Sequence, residues 1–309
     1  MKTQSRSGVT IIELLVSLGV VGLLLSILVP AVQQARESSR TMQCRNNLRQ
    51  IGLAMTNIVE SDGKFPTSSQ PEPTHHRLLP YLDAAPLAAV LKEGKDPDSW
   101  VVPTFACPSD PVVHVNMAKI GDSSYYLNHG TLFDDSPGAF NGFYSDEFSD
   151  TAPRDITDGL SLTVAASERL VKPLVNQVIE EADLQKQPRR FFWWTETRYG
   201  VSQEASAVEN CKNHRTVMAP QPFGINVIAY QAAFGYQHLL TPNSPSCFNG
   251  PEDFSIDFSL ALIAASSLHH GGVNSLFADG SVHFISDSID ETVWQSLGSR
   301  NGNETISEF

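Results

Sequence analysis

Residues 9–32 read VTIIELLVSLGVVGLLLSILVPAV, and apart from Glu13 the run is apolar or small throughout. As a helix, a run of this length spans a hydrocarbon core about 30 Å thick. Before it stands MKTQSRSG, with Lys2 and Arg6 and no acid. Basic residues on that flank place the N-terminus on the cytoplasmic side. A secretory signal peptide starts in a comparable way, but it ends in a small-x-small cleavage site after its apolar run. Here the run passes into QQARESSRTMQCRNNLRQIGLAMTNIV, residues 33–59, which is amphipathic and compatible with a continued helix. A plain membrane anchor leaves Glu13 unexplained, because an ionisable side chain inside a membrane segment is costly and marks a function.

One helix over about residues 10–60 is therefore expected, roughly 75 Å long at 1.5 Å per residue. Its first half, 9–32, belongs to the membrane or to a filament core. Its second half, 33–62, sets Leu48, Ile51, Leu53, Met55 and Ile58 among polar residues, as a helix does when one face packs on a globular domain. SDGKFP ends it, with Gly63 and Pro66 as breakers.

Residues 63–309 form the remaining domain, large enough to bury a hydrophobic core. Turn-rich stretches (PEPTHH, KDPDSW, PSDPVV, DDSPGAF, TPNSPSCFNG) alternate with strand-like ones, SLTVAASERL from Ser161 and RFFWWTET from Arg190. In GGVNSLFADGSVHFIS, Asp279-Gly280 is a two-residue hairpin turn between strands over 273–278 and 281–286. The preceding DFSLALIAASSLHH reads as a helix or a third strand; periodicity does not separate them. The fold class is α+β: a long N-terminal helix packed on an antiparallel sheet, with long loops. A net charge of −13 argues against a nucleic-acid partner, since phosphate neutralisation needs clustered Lys and Arg.

Cys44, Cys107, Cys211 and Cys247 include no CxxC pair, so a zinc ribbon or thioredoxin-like site is not expected. Their even number suits two disulfides in an oxidising compartment. Four cysteines allow three pairings, which sequence does not decide. Cys44–Cys107 with Cys211–Cys247 is favoured because both pairs would staple loops to neighbouring framework.

The N-terminal segment resembles the class III leader of type IV prepilins and type II secretion pseudopilins. The resemblance implies a leader over 1–8, cut by prepilin peptidase after Gly8, and N-methylation of Val9, where the family prefers phenylalanine. Glu13, fifth from Val9, matches the family's glutamate, which pairs with the N-terminal amine of a neighbouring subunit. Pro30 matches its helix-kinking proline. Over residues 8–285 the chain also resembles the prepilin-type family numbered 1559 among domains of unknown function, marked by a His-x9-Asp-Gly signature. The matching pieces are SRTMQCRNNLRQIGLAM, FACPSD, RDITDGLSLTVAASE, YQHLLTPNSPSC and the hairpin, with His269, Asp279 and Gly280 in the signature positions. This implies architecture and export route, with the helix in the inner membrane and the domain outside the cytoplasm.

Candidate chemistry is sparse. His269, Asp279 and Gly280, with His270 and His283 nearby, suggest either a His/Asp metal cluster or a histidine that hydrogen-bonds the hairpin; the second is favoured, since Asp-Gly suffices for a turn. Some pseudopilins hold calcium in loops. Asp155 and Asp158, or Asp134, Asp135 and Asp146, would be its oxygen donors, but there is no D-x-D-x-D-G loop, so turn and cap roles are favoured and no cofactor is expected. Phe191, Phe192, Trp193, Trp194 and Tyr199 read as a core strand before a sugar or peptide platform. GxSxG, HExxH, P-loop and GxGxxG motifs are missing, so an enzyme is not expected. The expected function is a pilin-like or pseudopilin-like structural subunit, with other pilin-like subunits as partners through the helix. The alternative is a membrane-anchored module displaying its domain to a protein or polysaccharide ligand.

Overall fold

A computed structural model describes residues 10–67, 74–93, 102–111, 123–131, 141–144, 150–170, 188–190, 192–194, 204–213, 216–217, 235–248 and 261–304. Helix α1 (Ile11–Asp62) has 52 residues. It starts in a capping box: the Thr10 hydroxyl accepts from the Glu13 amide (3.3 Å), and the Glu13 carboxylate accepts from the Thr10 amide (2.9 Å). It ends at Gly63, whose φ of 74° lets its amide reach back to the Val59 carbonyl. Pro30 lies inside the helix.

The two halves of α1 meet different surroundings. Large apolar residues from Ile11 to Val32 are exposed, and this stretch is long and apolar enough to cross a membrane. Burial begins at Cys44 and recurs at Leu48, Ile51, Met55 and Ile58, the spacing of one helical face. Leu53 departs from the expectation: it points away from that face and is exposed.

Four antiparallel strands receive the face, in the order β1–β2–β7–β8: β1 (Tyr125–Leu127), β2 (Val164–Glu168), β7 (Gly272–Phe277) and β8 (Val282–Ser286). Alternation along the strands divides the core. Tyr125, Leu127, Leu276 and Val282 face α1 and join Leu48, Ile51 and Met55. Tyr126, Val273, Phe277 and Ile285 face the other way, onto Trp294 and Leu297 of α5 (Glu291–Gly298). Helix, sheet and helix thus form three layers. Two short helices, α2 (Thr74–Leu78) and α3 (Ala85–Lys92), extend the core beside the end of α1.

A second sheet, in the order β4–β3–β5–β6, consists of β3 (Phe192–Trp194), β4 (Thr216–Val217), β5 (Ser246–Phe248) and β6 (Ala261–Leu262). The sheet under α1 is antiparallel as expected, and this second sheet adds a parallel pair, β3–β5. Cys247 on β5 bonds to Cys211 on α4 (Glu204–Asn213). The DFSLALIAASSLHH stretch is a helix nowhere in its described part: β6 takes Ala261–Leu262, and residues 263–267 carry no regular element.

The β7–β8 turn also differs. Phe277 donates its amide to Ser281 and Gly280 donates to Phe277, so Ala278, Asp279 and Gly280 form a three-residue loop. Gly280 alone has positive φ (86°) there, whereas a two-residue Asp-Gly turn needs it at both positions.

Buried histidines stand neutral in this core. His238 stacks on Trp294 (3.8 Å), donates from Nδ1 to the Trp294 carbonyl (2.7 Å) and accepts at Nε2 from the Tyr236 hydroxyl (2.9 Å). Burial pushes its pKa down to about 3. Burial likewise pushes His75, bonded to the Tyr125 carbonyl, down to about 4. Both sites take up a proton on unfolding once pH falls below the free value of about 6.5. Stability is therefore complete above that pH and falls as pH drops towards the folded-state values. Burial pushes His129 down to about 3 as well, so from these three groups the slope approaches about 3.8 kcal/mol per pH unit near pH 5, and His238→Gln should lower it by about a third. Denaturant unfolding from pH 7 to pH 5 measures this; a flat profile contradicts the assignment.

Candidate functional site

Glu37, Thr41 and Cys44 lie on one face of α1, at i, i+4 and i+7. Opposite them is the segment of residues 102–110, which α1 grips through polar contacts. Asn47 donates to the Ala106 carbonyl (2.9 Å), the Thr104 hydroxyl donates to Gln50 (3.1 Å), and the Tyr125 hydroxyl donates to the Cys44 carbonyl (3.2 Å). Cys44 and Cys107 form a disulfide there, with Cα atoms 4.9 Å apart. Beside it Asp110, whose amide donates to the Cys107 carbonyl, holds Arg190 in a buried ion pair at 2.8 Å.

Glu168 ends β2, and His269 precedes β7; both are buried against this disulfide. His269 Nδ1 faces the Thr41 hydroxyl (3.0 Å) and Glu37 Oε1 (3.3 Å), while Nε2 faces Glu168 Oε1 (3.2 Å) and lies 3.6 Å from Cys107 Sγ. The Thr41 hydroxyl donates to the Glu37 carbonyl, which leaves its oxygen to accept from His269. Glu168 also accepts from the Asn274 amide (2.8 Å) and side chain (3.0 Å), and the Ser109 hydroxyl donates to Glu37 (2.8 Å). Burial acts to lower the His269 pKa. The hydrogen bonds and negative charge of Glu168, then of Glu37, outweigh it and raise the value above the ordinary 6.5. His269, held between Glu37 and Glu168, thus clasps α1 to the sheet.

His269 does not hydrogen-bond the hairpin, contrary to expectation. It sits at the opposite end of β7. Asp279 is exposed and accepts from the Ser281 amide (2.8 Å), which shapes its own turn. His283 lies edge-on to Phe277 at 5.0 Å, and His270 is exposed, so the His/Asp cluster does not assemble. Both ends of β7 nevertheless touch α1. At one end is His269. At the other, Gly52 approaches the hairpin so closely that a Cβ there would lie 2.8 Å from Leu276 Cδ1 and 3.3 Å from Gly280 Cα.

Asp155 and Asp158, the candidate calcium ligands, each accept from backbone amides. Asp155 accepts from the Ala152 amide, and Asp158 from the amides of Gly302 and Asn303. Among the described residues, Cys44, Cys107, Glu168 and His269 are the group of His, Cys, Asp and Glu side chains close enough to share one ion. Glu13 caps α1, and Phe192, Trp193 and Trp194 lie in β3. Gly8, Val9, Asp134, Asp135, Asp146, Phe191 and Tyr199 lie outside the described residues. The sequence reading missed Glu37, Thr41 and Glu168. Glu168 carried a signal: it is an acid closing the otherwise small and apolar run VAASE, where burial demands a partner.

Fold and site together define an α+β domain with a membrane-length apolar helix at its N-terminal end and two disulfides. The chain belongs to the family described as "Protein of unknown function (DUF1559)", whose sequence profile matches residues 33–292. The match takes in the whole clasp and begins where the apolar half of α1 ends. Comparison with curated proteins and with solved structures finds no match.

Removing one partner of a buried ion pair strands the other, at about 3–5 kcal/mol. Glu168→Ala should therefore lower unfolding free energy by at least about 3 kcal/mol. Gly280→Ala, strained at positive φ, should cost about 1 kcal/mol. Denaturant melts of both variants test the ranking; a Glu168→Ala cost below that of Gly280→Ala would remove the clasp from its central place.

Proposed function

We propose that this protein is a type IV pilin-like or pseudopilin-like structural subunit. It is made with the leader 1–8, cut after Gly8 by prepilin peptidase, N-methylated at Val9, and assembled or anchored at the cell envelope. The observation that carries this reading is the division of α1. One half is apolar and exposed with a single acid, Glu13; the other is clasped and disulfide-bonded to the head. An anchor alone needs the apolar half but no acid. A carboxylate in hydrocarbon calls for an opposite charge, which the free amine of a neighbouring subunit supplies. Two disulfides fit an extracytoplasmic head, and Lys2 and Arg6 fit a cytoplasmic N-terminus.

Glu13 also closes the capping box of its own helix. Two variants separate the roles, because Glu13→Gln keeps the cap and loses the charge. Intact mass of membrane-extracted protein should give a chain starting at Val9, with or without a methyl, only where prepilin peptidase is present. Both Glu13→Gln and Glu13→Ala should fail to enter filaments. A chain cut after the apolar run overturns the pilin reading. Normal incorporation of Glu13→Gln reduces Glu13 to a cap, whereas a wild-type chain that starts at Val9 but enters no filament leaves display of the head to a protein or polysaccharide ligand as the surviving function.

A further inference from the structure

We propose that the Cys44–Cys107 disulfide occupies a latent zinc site: when it is reduced, Cys44, Cys107, His269 and Glu168 bind one Zn²⁺. Their ligand atoms already lie within 4.8 Å of one another, and all four residues are buried. A tetrahedral zinc ion with bonds of about 2.3 Å to sulfur and about 2.0–2.1 Å to nitrogen and oxygen sets its ligands on edges of about 3.4 Å (N to O) and about 3.5 Å (S to N or O). The structure has His269 Nε2 to Glu168 Oε1 at 3.2 Å, Nε2 to Cys107 Sγ at 3.6 Å, and Oε1 to Cys107 Sγ at 3.9 Å. Three of the six edges are therefore near their lengths before any metal enters. The S–S edge has to open to about 3.8 Å, which breaking the disulfide allows.

The surroundings suit a metal as well. A zinc-bound histidine donates its other ring N–H to a carboxylate or similar acceptor, which fixes the ring and its tautomer. His269 Nδ1 faces Glu37 Oε1 and the Thr41 hydroxyl, leaving Nε2 for the ion. Glu168 Oε1 points at the site, and Oε2 is held by the Asn274 amide. The Asn274 side chain also donates to Oε1. Two thiolates and an imidazole select zinc over calcium or magnesium.

Reduction takes two electrons and two protons from a dithiol, or two electrons from a phosphine (which leaves as its oxide) and two protons from water; it breaks the S–S bond and yields two thiols. Metal binding releases both thiol protons, and the proton that His269 carries at Nε2 when it is charged. The ion then joins the same two places as the disulfide, α1 and the segment of residues 102–110, so a chain that has not been oxidised keeps its helix cross-linked to its head.

The test uses the full chain in detergent, with Cys211→Ser and Cys247→Ser to silence the other pair, reduced with a phosphine and titrated with Co²⁺ as a spectroscopic stand-in for Zn²⁺. One equivalent should give thiolate-to-cobalt charge-transfer absorption and the visible bands of a tetrahedral site, and Zn²⁺ should displace it. The oxidised protein should give neither signal. Cys107→Ser should abolish the signal. Glu37→Gln, whose residue is half-exposed and touches no metal, should weaken affinity about tenfold or more by loosening His269. Circular dichroism shows whether each variant is folded. A folded, reduced chain that takes up no Co²⁺, or one whose uptake survives Cys107→Ser, overturns the proposal.

Discussion

Among the described residues, no part of the domain lies against the first half of α1. Whatever fixes the helix relative to the head has to act through residues 37–62, and that requirement organises the rest of the structure. Apolar packing alone holds a helix on a sheet but lets it slide or roll, since the hydrophobic effect is non-directional. The clasp is directional. Glu37 and Thr41 fix one point on the helix against His269, Cys44 fixes another covalently, and Arg45 adds a hydrogen bond to the Val282 carbonyl on β8 (2.6 Å). Further along, the close approach of Gly52 to the hairpin sets how near the helix can come.

Burying an imidazolium with a carboxylate is expensive, and such pairs need not add stability over an apolar core. Here the ionisable groups are answered. Glu168 takes two bonds from Asn274 and one from His269, and His269 meets an acceptor at each ring nitrogen. Directional bonds of this kind stabilise one arrangement of helix and sheet over near neighbours. The strand β7 carries it, with His269 before its first residue and the Gly280 turn after its last.

The far face of the sheet follows a different logic. There His238 is neutral, wedged against Trp294 and bonded at both nitrogens, and Gly298 leaves no space beside it: a Cβ would lie 2.4 Å from the His238 ring. The same residue type thus does opposite work on the two faces of one sheet. Two carboxylates raise the pKa of His269, whereas burial beside an aromatic wall lowers that of His238.

Sequence by itself determined the long helix, the breaker at Gly63, the strand at Val164–Glu168 and the two strands of the final hairpin. Each is written in local periodicity or in a residue with restricted backbone geometry, so neighbours along the chain suffice. Sequence also marked the four cysteines and favoured Cys44–Cys107 with Cys211–Cys247, the pairs the structure has, without excluding the other pairings. Tertiary structure alone decided the rest. His269 meets a glutamate 232 residues away and another 101 away, and no periodicity encodes such meetings. The same holds for the parallel β3–β5 pair and for the outward turn of Leu53, which depend on where distant segments pack. His269 illustrates the limit: its nearness in sequence to Asp279 suggested a shared turn, but an extended strand lies between them, and it carries the two to opposite ends of the sheet.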